Sequence, residues 1–159
     1  MKKESKNVSK REEFKEFMKT ALKNKDEVGL ATVRLIAAGL KDRDINARGQ
    51  GNQDGISEGE ILSMLQSMIK QRQESAKTYH DAKREDLATR EEAEIKVIES
   101  FLPKQLGDAE VQKIIEGIIA ATGAQGVKDM GKVMGELKAK YAGQMDMAKA
   151  SGMVKQKLG

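Results

Sequence analysis

Apolar positions recur at helical spacing along most of the chain, and the recurrence breaks at a few identifiable points. Ser9 and Glu12 make a capping-box pattern ahead of Phe14, Phe17, Met18, Ala21 and Leu22, which predicts a first helix ending near Lys23. A second helix is expected from about Glu27 to Ile45, with Leu30, Val33, Ala37 and Leu40 on one side. Asn46 to Gly55 reads as loop, because Gly49, Gly51 and Gly55 stand among Asn, Gln and Asp. Ser57 and Glu60 repeat the capping box and open a long helix to about Ala82, lined by Ile61, Leu65, Met68 and Tyr79. A fourth helix is expected from about Asp86 to Leu102, with Leu87, Ile95, Ile98 and Leu102 inward.

Pro103 is the only proline, and it disfavours helix at the residue before it. It sets the expected domain boundary, 1–102 against 103–159, and is the candidate hinge. Beyond it, Asp108 is the expected cap of a helix striped by Val111, Ile114, Ile115, Ile118 and Ile119, with Gly123 at its C-cap. A further helix carries Met130, Val133, Met134, Leu137 and Tyr141 and stops near Gly143. The last follows Asp146 and carries Met147, Ala150, Val154 and Leu158. The expected fold is all-α in two parts, a four-helix N-terminal domain followed by a small three-helix C-terminal domain.

Composition narrows the chemistry. There is no cysteine, which removes disulfides, thiolate metal sites and a Cys nucleophile, and the single histidine, His80, cannot build a histidine metal site alone. No metal and no cofactor is expected. Gly49-Gln50-Gly51 follows no strand and lacks the remaining spacing of a dinucleotide fingerprint. No apolar run reaches the ~20 residues of a membrane span. The basic start, Lys2, Lys3 and Lys6, leads into no apolar signal core, so a cytoplasmic location is expected and no membrane. A net charge of +4 and a pI near 9.2 point only weakly to a polyanionic partner, and a mildly basic helical protein is the stronger reading.

Two placements depart from simple amphipathicity. Arg72 falls in line with Ile61, Leu65, Met68 and Tyr79, while Glu91 and Glu94 fall in line with Leu87, Ile98 and Leu102 on the next helix. Folding the two helices into a hairpin near Arg84 brings Arg72 level with the Glu94 turn. A buried or half-buried pair of Arg72 with Glu94 or Glu91 is expected, fixing register or forming a polar site. The second departure is Gly131 and Gly135, opposite the Met130–Tyr141 stripe and beside Lys128 and Lys132. Glycine inside a helix costs about 1 kcal/mol relative to alanine. A close helix crossing would offset that cost; so would a bare stretch of backbone that an RNA backbone approaches.

Several stretches, in order, resemble the GatB/YqeY family: Val33-Arg34-Leu35-Ile36, Ile69-Lys70-Gln71-Arg72-Gln73-Glu74-Ser75, Glu91-Glu92-Ala93-Glu94-Ile95, Phe101-Leu102-Pro103-Lys104-Gln105-Leu106 and Asp129-Met130-Gly131-Lys132-Val133-Met134-Gly135. The resemblance covers roughly residues 8 to 158. It implies a four-helix part and a three-helix part, similar to the C-terminal helical extension of the B subunit of tRNA-dependent amidotransferase. In that enzyme the extension engages tRNA, and the chemistry lies in other domains. Similar proteins often carry Gly-Arg-Ala-Asp where this chain has Gly143-Gln144-Met145-Asp146. From Pro103 onward there are nine lysines and no arginine. Lysine contacts phosphate as a point charge without the planar fork.

Three functions remain open on these grounds. The resemblance implies a tRNA-binding or accessory module, for tRNA or aminoacyl-tRNA. Its candidate contacts are Lys128, Lys132, Lys138, Lys140, Lys149, Lys155 and Lys157, with Gly131 and Gly135 between them. Aromatics total 3%, so base stacking is not expected. Family labels also imply carbon–nitrogen ligation with glutamine as amide donor, but no activated nucleophile or P-loop is visible, and no catalytic residue is assigned. Such activity is expected only in a complex with a protein partner in tRNA-dependent amidation. The third reading is a protein-interaction adaptor, with Met145, Met147 and Met153 as a contact patch. The oligomeric state is left open.

Overall fold

The computed structural model describes residues 9–159. They form seven α-helices and one 3-10 turn, with no strand among the described residues. The helices are α1 (Lys10–Lys23), α2 (Glu27–Gly49), α3 (Glu58–Asp81), α4 (Glu85–Glu99), α5 (Asp108–Thr122), α6 (Met130–Tyr141) and α7 (Met147–Leu158), with the 3-10 turn at Val127–Asp129. The fold class is therefore all-α. The chain divides into two compact units, one running to Phe101 and one from Leu102 to Gly159.

Within the first unit, α1 packs on α2, α2 on α3 and α4, and α3 most extensively on α4. Ile36, Ile61, Met64, Leu65 and Ile98 are fully buried there. Each contributes roughly 1.5–3 kcal/mol by leaving water. All three phenylalanines meet at one place: Phe101 lies edge-on to Phe14 and Phe17, with ring centroids 4.9 and 5.1 Å apart. This explains why α4 ends at Glu99 rather than at Leu102: the chain turns after Ser100 to seat the Phe101 ring against α1.

Helix ends follow local chemistry. Ser57 and Glu60 realise a full capping box, whereas at Ser9 only the hydroxyl bond from Glu12 N–H is made. Helix α2 continues four residues past the expected end at Ile45, because nothing in Asn46–Gly49 forbids helix. Its stop is the left-handed Gly51, with Asn52 N–H donating to Ala47 O and Gly51 N–H to Arg48 O. The same motif closes α1 and α3 on lysines. Lys25 (φ 55) and Lys83 (φ 58) take the position glycine favours, with Asp26 N–H on Ala21 O and Arg84 N–H on Tyr79 O. Leu22, expected on the core side of α1, is 53% exposed beside that motif.

In the second unit, α5, α6 and α7 enclose Val111, Ile115, Ile118, Val133, Leu137, Met145, Ala150 and Val154. The residue capping α5 is Gly107, not Asp108, which instead occupies the first helical turn. After Pro103, Gln105 Nε2 donates to Gly143 O at 2.6 Å and Leu106 N–H donates to Gln144 O at 2.8 Å. These bonds fasten the segment before α5 to the α6–α7 turn. Gly143 is buried there in a left-handed conformation, and Asp146 caps α7 by accepting from Ala148 and Lys149 N–H.

Candidate nucleic-acid interface

Helix α6 is short and divided cleanly. Val133 and Leu137 are fully buried, with Met130, Met134 and Tyr141 half-buried on the same side. The opposite side carries Gly131, Lys132, Gly135 and Lys138, all exposed, with Lys128 exposed in the preceding 3-10 turn. A Cβ placed on Gly131 or Gly135 would meet no atom within 4 Å. Among the described residues, no helix makes the close crossing that the sequence allowed for these glycines. What remains is a stretch of uncovered helix backbone with ammonium groups beside it.

The lysines differ in availability. Lys140 is paired with Glu136 at 3.0 Å, which raises its pKa above the ordinary lysine value. Lys149 Nζ donates to both oxygens of Asp108 at 2.9 Å, and Lys157 pairs with Glu116. The partners on α5 and the lysines on α7 share one eight-residue spacing, so the two pairs mark a parallel register between those helices. Exposed pairs of this kind add little to stability. They do hold three of the seven candidate cations against carboxylates. Lys128, Lys132, Lys138 and Lys155 are exposed without an ion pair among the described residues. Lys132 and Lys128 both lie near Asp129, whose carboxyl is held below the usual range first by the Gln125 N–H and then by those lysines.

Helix α7 repeats the arrangement of α6. Lys132, Gly135 and Lys138 have the spacing Lys-x-x-Gly-x-x-Lys, and so do Lys149, Gly152 and Lys155. Gly152 is exposed, and a Cβ there also meets nothing within 4 Å. The apolar stripe of α6 already set Gly131 and Gly135 on its far side; that no helix covers them there was not readable from the sequence.

Three polar clusters lie in the first unit. Arg72 Nε donates to Glu94 Oε2 at 3.0 Å and its Nη1 donates to Met68 O, while Glu91 is half-buried outside the pair. Arg90 adds a longer contact to Glu94 at 3.7 Å. The second cluster escaped sequence reasoning. Arg11 on α1 forms a two-pronged pair with the buried Asp44 on α2, and its Nη2 also donates to Ile56 O at 3.0 Å. Asp44 in turn accepts from Ile56 N–H at 2.9 Å. The Arg11 guanidinium, helped by that N–H, lowers the Asp44 carboxyl to about 2. The usable signal was Asp44 itself, an acid on the same side of its helix as Val33 and Leu40. The third cluster is His80, held between Glu92 and Glu85 at 2.7 and 2.6 Å. Among the described residues, no group of acidic or histidine side chains is placed to hold a metal.

Residues 11–158 match the family described as Yqey-like protein, and the chain belongs to it. Curated relatives carry the name "Altered inheritance of mitochondria protein 41, mitochondrial". The one from Vanderwaltozyma polyspora is 28% identical over 74% of this chain and 64% of its own length. The one from Lachancea thermotolerans is 31% identical over 56% of this chain and 46% of its own. The one from Pyrenophora tritici-repentis is 25% identical over 80% and 68%. The chain thus spans about half to two thirds of these relatives. No helix among the described residues is long and apolar enough to cross a membrane.

Proposed function

We propose that the second unit binds the phosphate backbone of a folded RNA, with tRNA or aminoacyl-tRNA as the substrate class, and serves as an accessory module in tRNA-dependent amidation. The observation that supports this most is the outer side of α6, where glycines whose Cβ position is open among the described residues stand beside lysines that hold no ion pair there. Nine lysines against six carboxylates from Leu102 onward leave +3 of the chain's +4. Lysine point charges on bare backbone suit a ribose-phosphate chain, whose sign and narrow profile let it approach where a Cβ would intrude. In this reading the two units are two domains joined at the Pro103 hinge. Any carbon–nitrogen ligase activity using glutamine as amide donor resides in a complex that includes this chain. The setting is a compartment containing tRNA, either the cytoplasm or, as the relatives' names suggest, mitochondria.

The test is a salt-dependent titration of the whole chain with acylated and unacylated tRNA. Neutralising about four phosphates gives a log–log salt slope of roughly −3 to −4. Lys132→Ala with Lys138→Ala should flatten the slope by about two phosphates' worth. No binding at low salt overturns the reading. A protein-interaction role without RNA binding is the second reading, and the outer side of α2 specifically favours a protein partner.

A further inference from the structure

Helix α2 is apolar on two separate sides. Its inward side, which includes Val33, Ile36 and Leu40, packs within the first unit. A second line runs through Val28, Ala31, Leu35, Ala38, Asp42 and Ile45, in alternating steps of three and four residues. That is the a/d spacing one helix offers to another in a coiled coil. Val28, Leu35 and Ile45 are 38%, 47% and 55% exposed, three of the five large apolar side chains left open among the described residues. With Val28 at position a, the cations Arg34, Lys41 and Arg48 all fall at position g, along one edge of the line. All three are exposed, and Arg34 and Lys41 hold no ion pair among the described residues.

We propose that this side of α2 docks an amphipathic helix of a partner protein. The partner presents apolar side chains at its own a and d positions and glutamates along the edge that meets Arg34, Lys41 and Arg48. It places a cation opposite Asp42. Charge distinguishes this occupant from the others. Two copies of α2 packed antiparallel would set the g cations against one another, and packed parallel would set Asp42 on Asp42. A lipid surface would have to take the Asp42 carboxylate, in the middle of the apolar line, into the acyl boundary. RNA has no use for the apolar line at all. The surface lies in the first unit and shares no residue with the lysines of α6 and α7, so it stands independently of the RNA reading.

The probe is a synthetic helical peptide of three heptads with Leu at a and d, Glu at e and g, and one Lys placed to face Asp42. A charge-reversed peptide with Lys at e and g is the control. Fluorescence anisotropy with the full chain should show the acidic peptide binding at least about tenfold more tightly than the control. Leu35→Gln with Ile45→Gln should abolish binding of the acidic peptide, and Arg34→Glu with Lys41→Glu should invert the preference. All four positions are exposed, and circular dichroism melting verifies that the variants fold. Lys132→Ala with Lys138→Ala should leave peptide binding unchanged, which separates this proposal from the RNA reading. Equal binding of both peptides overturns it, as does no binding of either, or binding unmoved by the Leu35 and Ile45 changes. A dimer in sedimentation that Leu35→Gln dissolves would assign the surface to a second copy. Partition onto phosphatidylglycerol vesicles that Leu35→Gln removes, with no peptide binding, would assign it to lipid. Either result overturns the proposal.

Discussion

Arg72 and Glu94 face each other across the α3–α4 hairpin, Nε to Oε2 at 3.0 Å, with their side chains only 14% and 12% exposed. Removing one partner leaves the other charge half-buried and uncompensated, and fully buried cases cost 3–5 kcal/mol. Residual exposure and Arg90 beside Glu94 lessen this, so Arg72→Met should destabilise by about 2 kcal/mol. Arg72→Met with Glu94→Leu should recover most of the loss. A double-mutant cycle by urea unfolding measures the coupling, and a value near zero would remove the pair as a register device.

Acid should weaken the fold through Asp44. Its folded carboxyl is lowered to about 2 from an ordinary 3.8, so the unfolded state binds the proton more readily. The stabilisation is complete above the unfolded value and is lost as pH falls toward the folded one, between about pH 4 and pH 2. Asp44→Asn should remove ~2 kcal/mol at neutral pH and flatten the acid limb of the stability curve. Gly55→Ala strikes the same cluster differently. Gly55 has φ +82, and its new Cβ would collide with the Asp44 carboxylate, so a loss above ~2 kcal/mol is expected in guanidinium unfolding.

His80 titrates in the opposite sense. Hydrogen bonding to Glu92, then Glu85, raises its pKa above 6.5. Two carboxylates on the two ring nitrogens demand the doubly protonated ring. The contact is therefore fully present below the unfolded value and fades as pH rises through the folded one. The neighbouring Arg84 is engaged with Asp86 at 3.2 Å and leaves both glutamates to the histidine. Proton NMR titration of the single imidazole should return a pKa above the free value, and Glu92→Gln should lower it.

How much of this was legible in the sequence depends on the range of the interaction. Helices announced by caps and periodicity were readable because their causes lie within a turn: Ser57 with Glu60, Gly123, Asp146. The Arg72–Glu94 contact was readable because one hairpin, with a three-residue turn, relates the two sides by simple counting. Arg11–Asp44 was not, because the two stand at unequal distances from the α1–α2 turn and meet at Ile56, in the loop after α2, whose path no local rule fixes. The end of α4 was misjudged for a related reason. Phe101 leaves the helix to reach Phe14 and Phe17, nearly ninety positions away in sequence. At the candidate interface the residues were visible, but the facts that decide their use were not. Lys149 and Lys157 are tied to Asp108 and Glu116, and the outward glycines touch nothing.

Lysine is an uncomfortable occupant of two helix ends. Lys25 and Lys83 sit at φ 55 and 58, where an L side chain costs roughly 1–2 kcal/mol. Glycine relieves that cost but adds entropy to the unfolded chain. Lys83→Gly should therefore raise stability by about 0.5–1 kcal/mol, read from denaturant midpoints at unchanged slope. Lys25→Gly should behave alike, since the same pair of backbone bonds closes α1.

The exposed glycines of α6 separate stability from function. Replacing a helix-interior glycine by alanine gains about 1 kcal/mol where the new methyl finds room. Gly131 and Gly135 offer that room, with nothing within 4 Å of either Cβ. Gly131→Ala and Gly135→Ala should each stabilise the protein in thermal unfolding. If α6 receives a phosphate backbone, the same methyls stand where the ligand must approach, between Lys128 and Lys138. tRNA affinity should then fall by roughly tenfold, about 1.4 kcal/mol, while the salt slope stays unchanged because no cation is removed. A stabilised variant that binds tRNA as well as the parent would take the glycines out of the interface and leave the lysines to act through charge alone.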